Sequence, residues 1–140
     1  MKSLLKLICI LALVVMPSYI LLAQSSKAST AQATCKMVLD GKVVTETTVA
    51  NVIAWSETSP PMVQCDDGKI YKLETFTITY MTLKPFQSKE FGIGQAGFPI
   101  RAVQEIKNGK AGDTIILKDV MYLDIAGTKS ALPIISIKMQ

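Results

Sequence analysis

Residues 73–83 read Leu-Glu-Thr-Phe-Thr-Ile-Thr-Tyr-Met-Thr-Leu, and within them Phe76, Ile78 and Tyr80 alternate with Thr75, Thr77 and Thr79. Successive side chains of a strand point to opposite faces of its sheet, so this period of two places the three large residues on one face and the threonines on the other. The same signal recurs at the C-terminus, where Ile135, Ile137 and Met139 alternate with Ile134, Ser136 and Lys138 in a strand predicted over 132–139. A chain carrying such stretches has to build a sheet with one buried face.

Turn signals divide the rest into short strands. Asp40-Gly41 sits between Cys35–Leu39 and 42–49, and an Asp-Gly pair supplies the positive φ angles of a tight hairpin turn. Asn51 to Trp55 is predicted as a further short strand, and 56–61, which ends Ser-Pro-Pro, as a loop, because proline cannot donate to a central ladder. Met62–Cys65, the turn Asp66-Asp67-Gly68 and the run from Lys69 repeat strand, turn, strand. Residues 84–98 are polar and glycine-bearing and are predicted as irregular.

One helix is predicted, from Pro99 to Asn108. Proline suits a first turn, Ile100, Val103 and Ile106 form a stripe, and Gly109 stops it. Strands are expected over 114–118 and 120–125, with a turn at Ala126-Gly127-Thr128-Lys129. Many short strands with regular turns argue a β-sandwich or barrel, with the helix linking two strands or capping an end.

The front of the chain is of a different kind. Lys2 and Lys6 precede an apolar run over 7–23, which ends in Ala23 before Gln24, Ser25, Ser26 and Lys27. A positive start, an apolar core and a small residue before a polar stretch make a secretory signal peptide over 1–23. The cut falls after Ala23, with Ala28 as the alternative. An uncleaved anchor needs about 20 apolar residues, and this run barely reaches that with Pro17 inside it. Cys9 lies too deep and Cys35 too far beyond for a lipobox. Residues 24–34 read as a flexible lead-in, and 35–140 as one β-sandwich domain. The expected location is the periplasm or the outside of the cell, with no membrane span after cleavage.

Removing Lys2 and Lys6 from a chain of formal charge +4 leaves +2, and the remaining lysines are scattered. A nucleic-acid footprint needs clustered Lys and Arg, so no nucleic-acid partner is expected. Cys9 leaves with the leader. The two remaining cysteines, Cys35 and Cys65, are expected to pair in an oxidising compartment.

The candidates for chemistry are few. Gly92-Ile93-Gly94-Gln95-Ala96-Gly97 matches G-x-G-x-x-G, but a dinucleotide needs that pattern between a buried strand and the helix it opens. Here a polar, proline-containing stretch precedes it and the helix starts after it, so the glycines read as a flexible crossing between sheets. With no histidine in the chain, the usual general base and the commonest transition-metal ligand are missing. Asp66 and Asp67 in one turn and Asp119 and Asp124 around another strand could serve calcium through oxygen ligands, but their spacing fits turns better. No catalytic residue, metal site or cofactor is expected. Trp55, Phe86, Phe91 and Phe98 are the candidate partner contacts, with core filling as the alternative role of Trp55.

From Cys65 onward the run Cys65-Asp66-Asp67-Gly68-Lys69-Ile70-Tyr71-Lys72 leads into Phe76-Thr77-Ile78-Thr79. A glycine-containing stretch, a short helix and Lys110-Ala111-Gly112-Asp113-Thr114-Ile115-Ile116-Leu117-Lys118-Asp119-Val120 follow. The end is Leu132-Pro133-Ile134-Ile135-Ser136-Ile137-Lys138. This order resembles the C-terminal immunoglobulin-like domain of the GldM family of gliding-motility and type IX secretion proteins of Bacteroidetes. The resemblance implies an immunoglobulin-like β-sandwich with one short helix, and protein contacts within the cell envelope. It carries over no catalytic residue. Members of that family have a membrane anchor and several periplasmic domains, whereas this chain has a leader and one domain.

The expected function is therefore a non-catalytic, exported protein-binding or assembly module with another envelope or secreted protein as its partner. A secreted binder of small molecules or glycans, which needs a concave apolar pocket, is the alternative. A carboxylate-dependent hydrolase, which needs two acids facing across a cleft, is the third.

Overall fold

The computed structural model describes residues 34–95, 97–124 and 126–140, with residues 93–95 described by their backbone. The expected signal peptide over 1–23 and the lead-in up to residue 33 lie outside the described residues. The described part is mainly β. In chain order it contains β1 (Cys35–Leu39), β2 (Lys42–Val43), α1 (Val49–Glu57), β3 (Met62–Cys65), β4 (Ile70–Leu83), β5 (Phe86–Gln95), α2 (Ile100–Lys107), β6 (Thr114–Leu123), β7 (Lys129–Ala131) and β8 (Ile135–Lys138).

Hydrogen bonding links these strands into one curled antiparallel sheet in the order β2-β1-β3-β4-β6-β7, with β5 on β4 and β8 on β6. Two helices pack with this sheet around the core, contributing Val52, Trp55, Ala102 and Ile106. The long β4 makes that arrangement possible. Its first residues pair with β3, from Met62↔Lys72 to Gln64↔Ile70, and its later ones with β5, from Thr75↔Gln95 to Leu83↔Phe86. Strand β6 is shared in the same way between β8, at Thr114–Leu117, and β7, at Met121–Leu123. The Gln140 N–H donates to the Thr47 carbonyl at 3.1 Å, which ties the β2–α1 connection to the end of the chain.

The alternation in β4 holds for Phe76, Ile78 and Tyr80, which are buried, while Thr79 on the other face is buried as well. Leu73 is buried too, although strict alternation puts it on the opposite face from Phe76. The β4–β6 register explains this. It shifts between Leu73 and Thr75 and back between Thr75 and Thr77. The extra residue on the β6 side falls in 119–120, where Asp119 has φ 50. A bulge inserts one residue and switches the side-chain parity of its strand. Ile115 and Leu117 before Asp119 and Val120 after it therefore all reach the core. The two strands expected on either side of Asp119 are one strand with a bulge.

The hairpin at Asp40-Gly41 forms as expected, with Val38↔Val43 and Leu39↔Lys42 in register and both turn residues at positive φ, 49 and 74. Its second strand is only Lys42–Val43. At the C-terminus Ile135, Ile137 and Met139 are buried and Ile134 is 48% exposed, as the alternation requires.

Two expectations are corrected. Asn51 to Trp55 is not a strand but the middle of helix α1. Val49, Val52 and Ile53 favour strands by propensity, but Val52, Trp55 and Ser56 fall at helical spacing on one buried face. Thr48 caps the helix, its hydroxyl accepting from the Asn51 N–H at 3.2 Å. Burial of that face outweighs the local preference. Residues 84–98 are not irregular either, because Phe86–Gln95 form β5 across a two-residue turn, Lys84-Pro85, from β4. Most of β5 from Phe86 to Gly92 is exposed on both faces, so no alternation marks it.

Helix α2 lies where it is expected, but on a different face. Ala102 and Ile106 are buried, while Ile100 is 77% exposed. Gly109 ends the helix because of its surroundings: a Cβ there would stand 2.8 Å from the Ile106 carbonyl oxygen and 3.0 Å from the Tyr80 hydroxyl.

Candidate functional site

The free backbone of β5 is the first candidate surface. This strand pairs with β4 and with no other strand among the described residues. From Phe86 to Phe91 its register against β4 is regular, running from Leu83↔Phe86 to Ile78↔Phe91, and the irregularity comes only afterwards, at Gly92 and residue 93. Side chains on alternate faces reach back to the domain: Lys89 pairs with Glu105 of α2 at 2.7 Å, and Glu90 pairs with Lys118 of β6 at 3.3 Å. Such exposed pairs each contribute little, from nothing to about 1 kcal/mol, but they orient both faces of the strand and leave its outer edge open. An open edge presents unpaired N–H and C=O groups to a further strand.

The four aromatic candidates separate along this region. Phe86 opens β5 and is 69% exposed. Phe91 is half-buried against the core. Phe98 is half-buried between Trp55 and Phe76, with ring centroids 5.0 Å and 5.4 Å away. Trp55 is fully buried, its ring N–H donating to the Met62 carbonyl at 2.9 Å. It fills the core and presents no surface to a partner. The glycine motif loses its expected role as a crossing between sheets, since Gly92 to Gln95 lie within β5, paired with β4. Ala96 lies outside the described residues.

Cys35 and Cys65 form a disulfide and face each other directly in the β1–β3 register. The bond closes the ladder immediately before the β3–β4 turn, where Asp66 accepts from the Thr34 N–H at 2.7 Å. The remaining candidate carboxylates also serve the backbone. Asp67 accepts from the Lys69 N–H at 3.0 Å and from the Tyr71 hydroxyl. Asp124 accepts from the Thr128 N–H at 2.7 Å in the β6–β7 turn, and Asp119 occupies the bulge. Among the described residues no three acids or cysteines gather at metal-ligating distance.

A groove of about 810 Å³ opens between the start of β4 and the end of β6. No sequence signal singled it out, because its two halves lie far apart in the chain and meet through the β4–β6 ladder, where Leu73 faces Tyr122. The rings of Tyr71 and Tyr122 meet edge to face at 4.6 Å and 66°. Ile70 and Leu123 flank them at 51% and 46% exposure, with Lys69, Lys72 and Asp124 also in the lining. The hydrogen bond to Asp67 pushes the Tyr71 hydroxyl up to about 12, so it stays a neutral donor, and the same bond, with the Lys69 N–H, lowers Asp67.

Asp113 is the buried acid of the fold, 5% exposed at the head of β6. Burial alone would raise its carboxyl, but hydrogen bonds outweigh burial and hold it below the ordinary 3.8. They come from the Lys110 N–H at 2.8 Å, the Tyr80 hydroxyl at 2.7 Å and the Leu83 N–H at 3.3 Å. Burial, then the bond to Asp113, raises Tyr80. The carboxylate joins β4, the α2–β6 turn and, through its own main chain, Met139. Because the folded value is depressed, its stabilisation is complete above the unfolded value, about 3.9, and disappears as pH falls through the lower folded value. Asp113→Asn is expected to lose about 2 kcal/mol at pH 7 and to flatten the stability curve below pH 4. Urea unfolding at pH 7 and pH 3 checks this; an unchanged difference between the two pH values would count against the role of Asp113.

No family model, no curated protein and no solved structure matches this chain.

Proposed function

We propose that the protein is a non-catalytic, exported binding or assembly module that takes a strand of a partner protein onto the free edge of β5. The observation that carries this reading is the regular, unshared stretch Phe86–Phe91 with the ring of Phe86 exposed beside it. Strand addition draws affinity from main-chain hydrogen bonds and specificity from side-chain pockets next to the edge. Charged residues such as Lys89 also discourage indiscriminate pairing, so the edge suits a partner with a complementary strand.

Export is supported by the leader pattern over 1–23 and by the Cys35–Cys65 bond, since structural disulfides persist in oxidising compartments. The resemblance of 65–140 to the GldM C-terminal domain supports an envelope partner connected with gliding motility or type IX secretion. An immunoglobulin-like sandwich belongs to that same resemblance.

The test pairs capture with hydrogen exchange. Wild-type protein is expected to recover a specific partner from envelope extract, and the complex to protect β5 amides from exchange. Phe86→Lys is expected to lose that partner with unfolding unchanged to within about 0.5 kcal/mol, as befits an exposed site. Equal recovery by both proteins, or protection that spares β5, overturns the reading.

A further inference from the structure

We propose that the groove between the start of β4 and the end of β6 binds acidic oligosaccharides, chains of pyranose rings that carry carboxylates. Its volume of about 810 Å³ lies within the range of small-ligand sites, and a ligand of a few rings fits.

The lining sets the chemistry. Tyr71 and Tyr122 stand at 66° to each other, 4.6 Å between centroids, which makes a corner with two aromatic walls. A pyranose ring has a face of C–H groups that packs on such a wall and a rim of hydroxyls that takes hydrogen bonds. The walls are set in advance. Tyr71 is anchored by its bond to Asp67, and Tyr122 by its place opposite Leu73 in the ladder. A preorganised site loses little freedom on binding.

Charge selects the acidic class. Lys69 and Lys72 both line the groove; Lys69 interacts with Asp67, the acid that holds Tyr71, and Lys72 belongs to no ion pair among the described residues. Asp124 is the one acid among the described lining residues, and one of its oxygens is already taken by the Thr128 N–H. The Lys72 ammonium beside an aromatic corner matches a carboxylate-bearing sugar better than a neutral one. The site is separate from the β5 edge, so failure of strand capture there leaves it standing.

The protein is titrated with tetragalacturonate, with uncharged cellotetraose and with inorganic tripolyphosphate, followed by calorimetry and by the NMR signals of the tyrosine rings. Tetragalacturonate is expected to bind and to shift Tyr71 and Tyr122, with cellotetraose at least about tenfold weaker. Tyr122→Ala is expected to weaken binding about tenfold, since stacked rings contribute beyond the area they bury. Lys72→Ala, at an exposed position, is expected to weaken it about threefold and to reduce its salt dependence. That second variant keeps the test decisive if Tyr122→Ala does not fold. No binding of tetragalacturonate, equal binding of cellotetraose, full displacement by an equimolar amount of tripolyphosphate, shifts confined to other residues, or unchanged affinity in Lys72→Ala each overturns the proposal.

Discussion

Trp55→Ala is expected to lower the free energy of unfolding by about 4 kcal/mol, the largest effect of any single substitution considered for this chain. The residue is fully buried on α1, edge to face with Phe98, which in turn packs on Phe76 of β4. Removing the ring takes away its transfer free energy and leaves a cavity between helix and sheet that the neighbours fill only in part. It also strands the Met62 carbonyl of β3, which accepts the ring N–H at 2.9 Å. For a domain of this size the loss corresponds to a fall in Tm of roughly 20 °C. Trp55→Phe separates the contributions. It keeps an aromatic ring in place but not the hydrogen bond, and should cost about 1–2 kcal/mol. Urea unfolding followed by circular dichroism reads both variants. A Trp55→Ala protein within 1 kcal/mol of wild type would show that the ring is not the link between α1 and the sheet.

The second large effect is expected on opening the disulfide. Cys35 and Cys65 are separated by 30 positions, and a loop of that length restricts the unfolded chain by roughly 3–4 kcal/mol on the chain-entropy model. The double variant Cys35→Ala, Cys65→Ala should therefore unfold at lower denaturant concentration. Its m-value should rise, because the unlinked unfolded chain exposes more surface. The bond also fastens the first strand to the third at the turn that begins the tyrosine groove, so β1 should show the earliest gain in hydrogen exchange. Comparing unfolding of the double variant with that of oxidised wild type checks the magnitude, and mass spectrometry without reductant checks the linkage. Equal midpoints and equal m-values would mean that the loop is already restricted in the unfolded state.

The two effects act on different sides of the folding equilibrium. Trp55 stabilises the native state through packing, and the disulfide destabilises the unfolded one through lost chain freedom. Both sites belong to one core cluster and meet on β3, so their effects are expected to couple rather than simply add. Asp113 belongs with the first kind, but its contribution carries a pH dependence that neither of the others has.

Of the candidate surfaces, the sequence pointed to Phe86 and Phe91 but not to the strand that carries them. It contained Tyr71 and Tyr122 without any sign that they meet. Such a groove is made by pairing, and pairing between distant strands leaves no local pattern. The helix α1 had a readable signal in Thr48 three residues before Asn51, and in the spacing of Val49, Val52, Ile53 and Ser56. The β-branched residues in the same stretch pointed the other way.

By itself the sequence determined the elements whose burial alternates along the chain: the central part of β4, the strand β8, the Asp40-Gly41 hairpin and the turn at Asp66-Asp67-Gly68. It also determined which cysteines could pair, because only Cys35 and Cys65 follow the apolar run over 7–23. A half-buried strand writes its two faces into every second residue, and a tight turn writes its φ angles into Asp and Gly. Tertiary structure alone decided that β5 is a strand, that α1 is a helix, that Leu73 and Val120 turn inward through compensating bulges, and that the strands join into one curled sheet. Each of these depends on what lies across the ladder or above the sheet. An edge strand exposed on both faces has no periodicity to show, and a helix with weak local preference is stabilised only by the face it packs against.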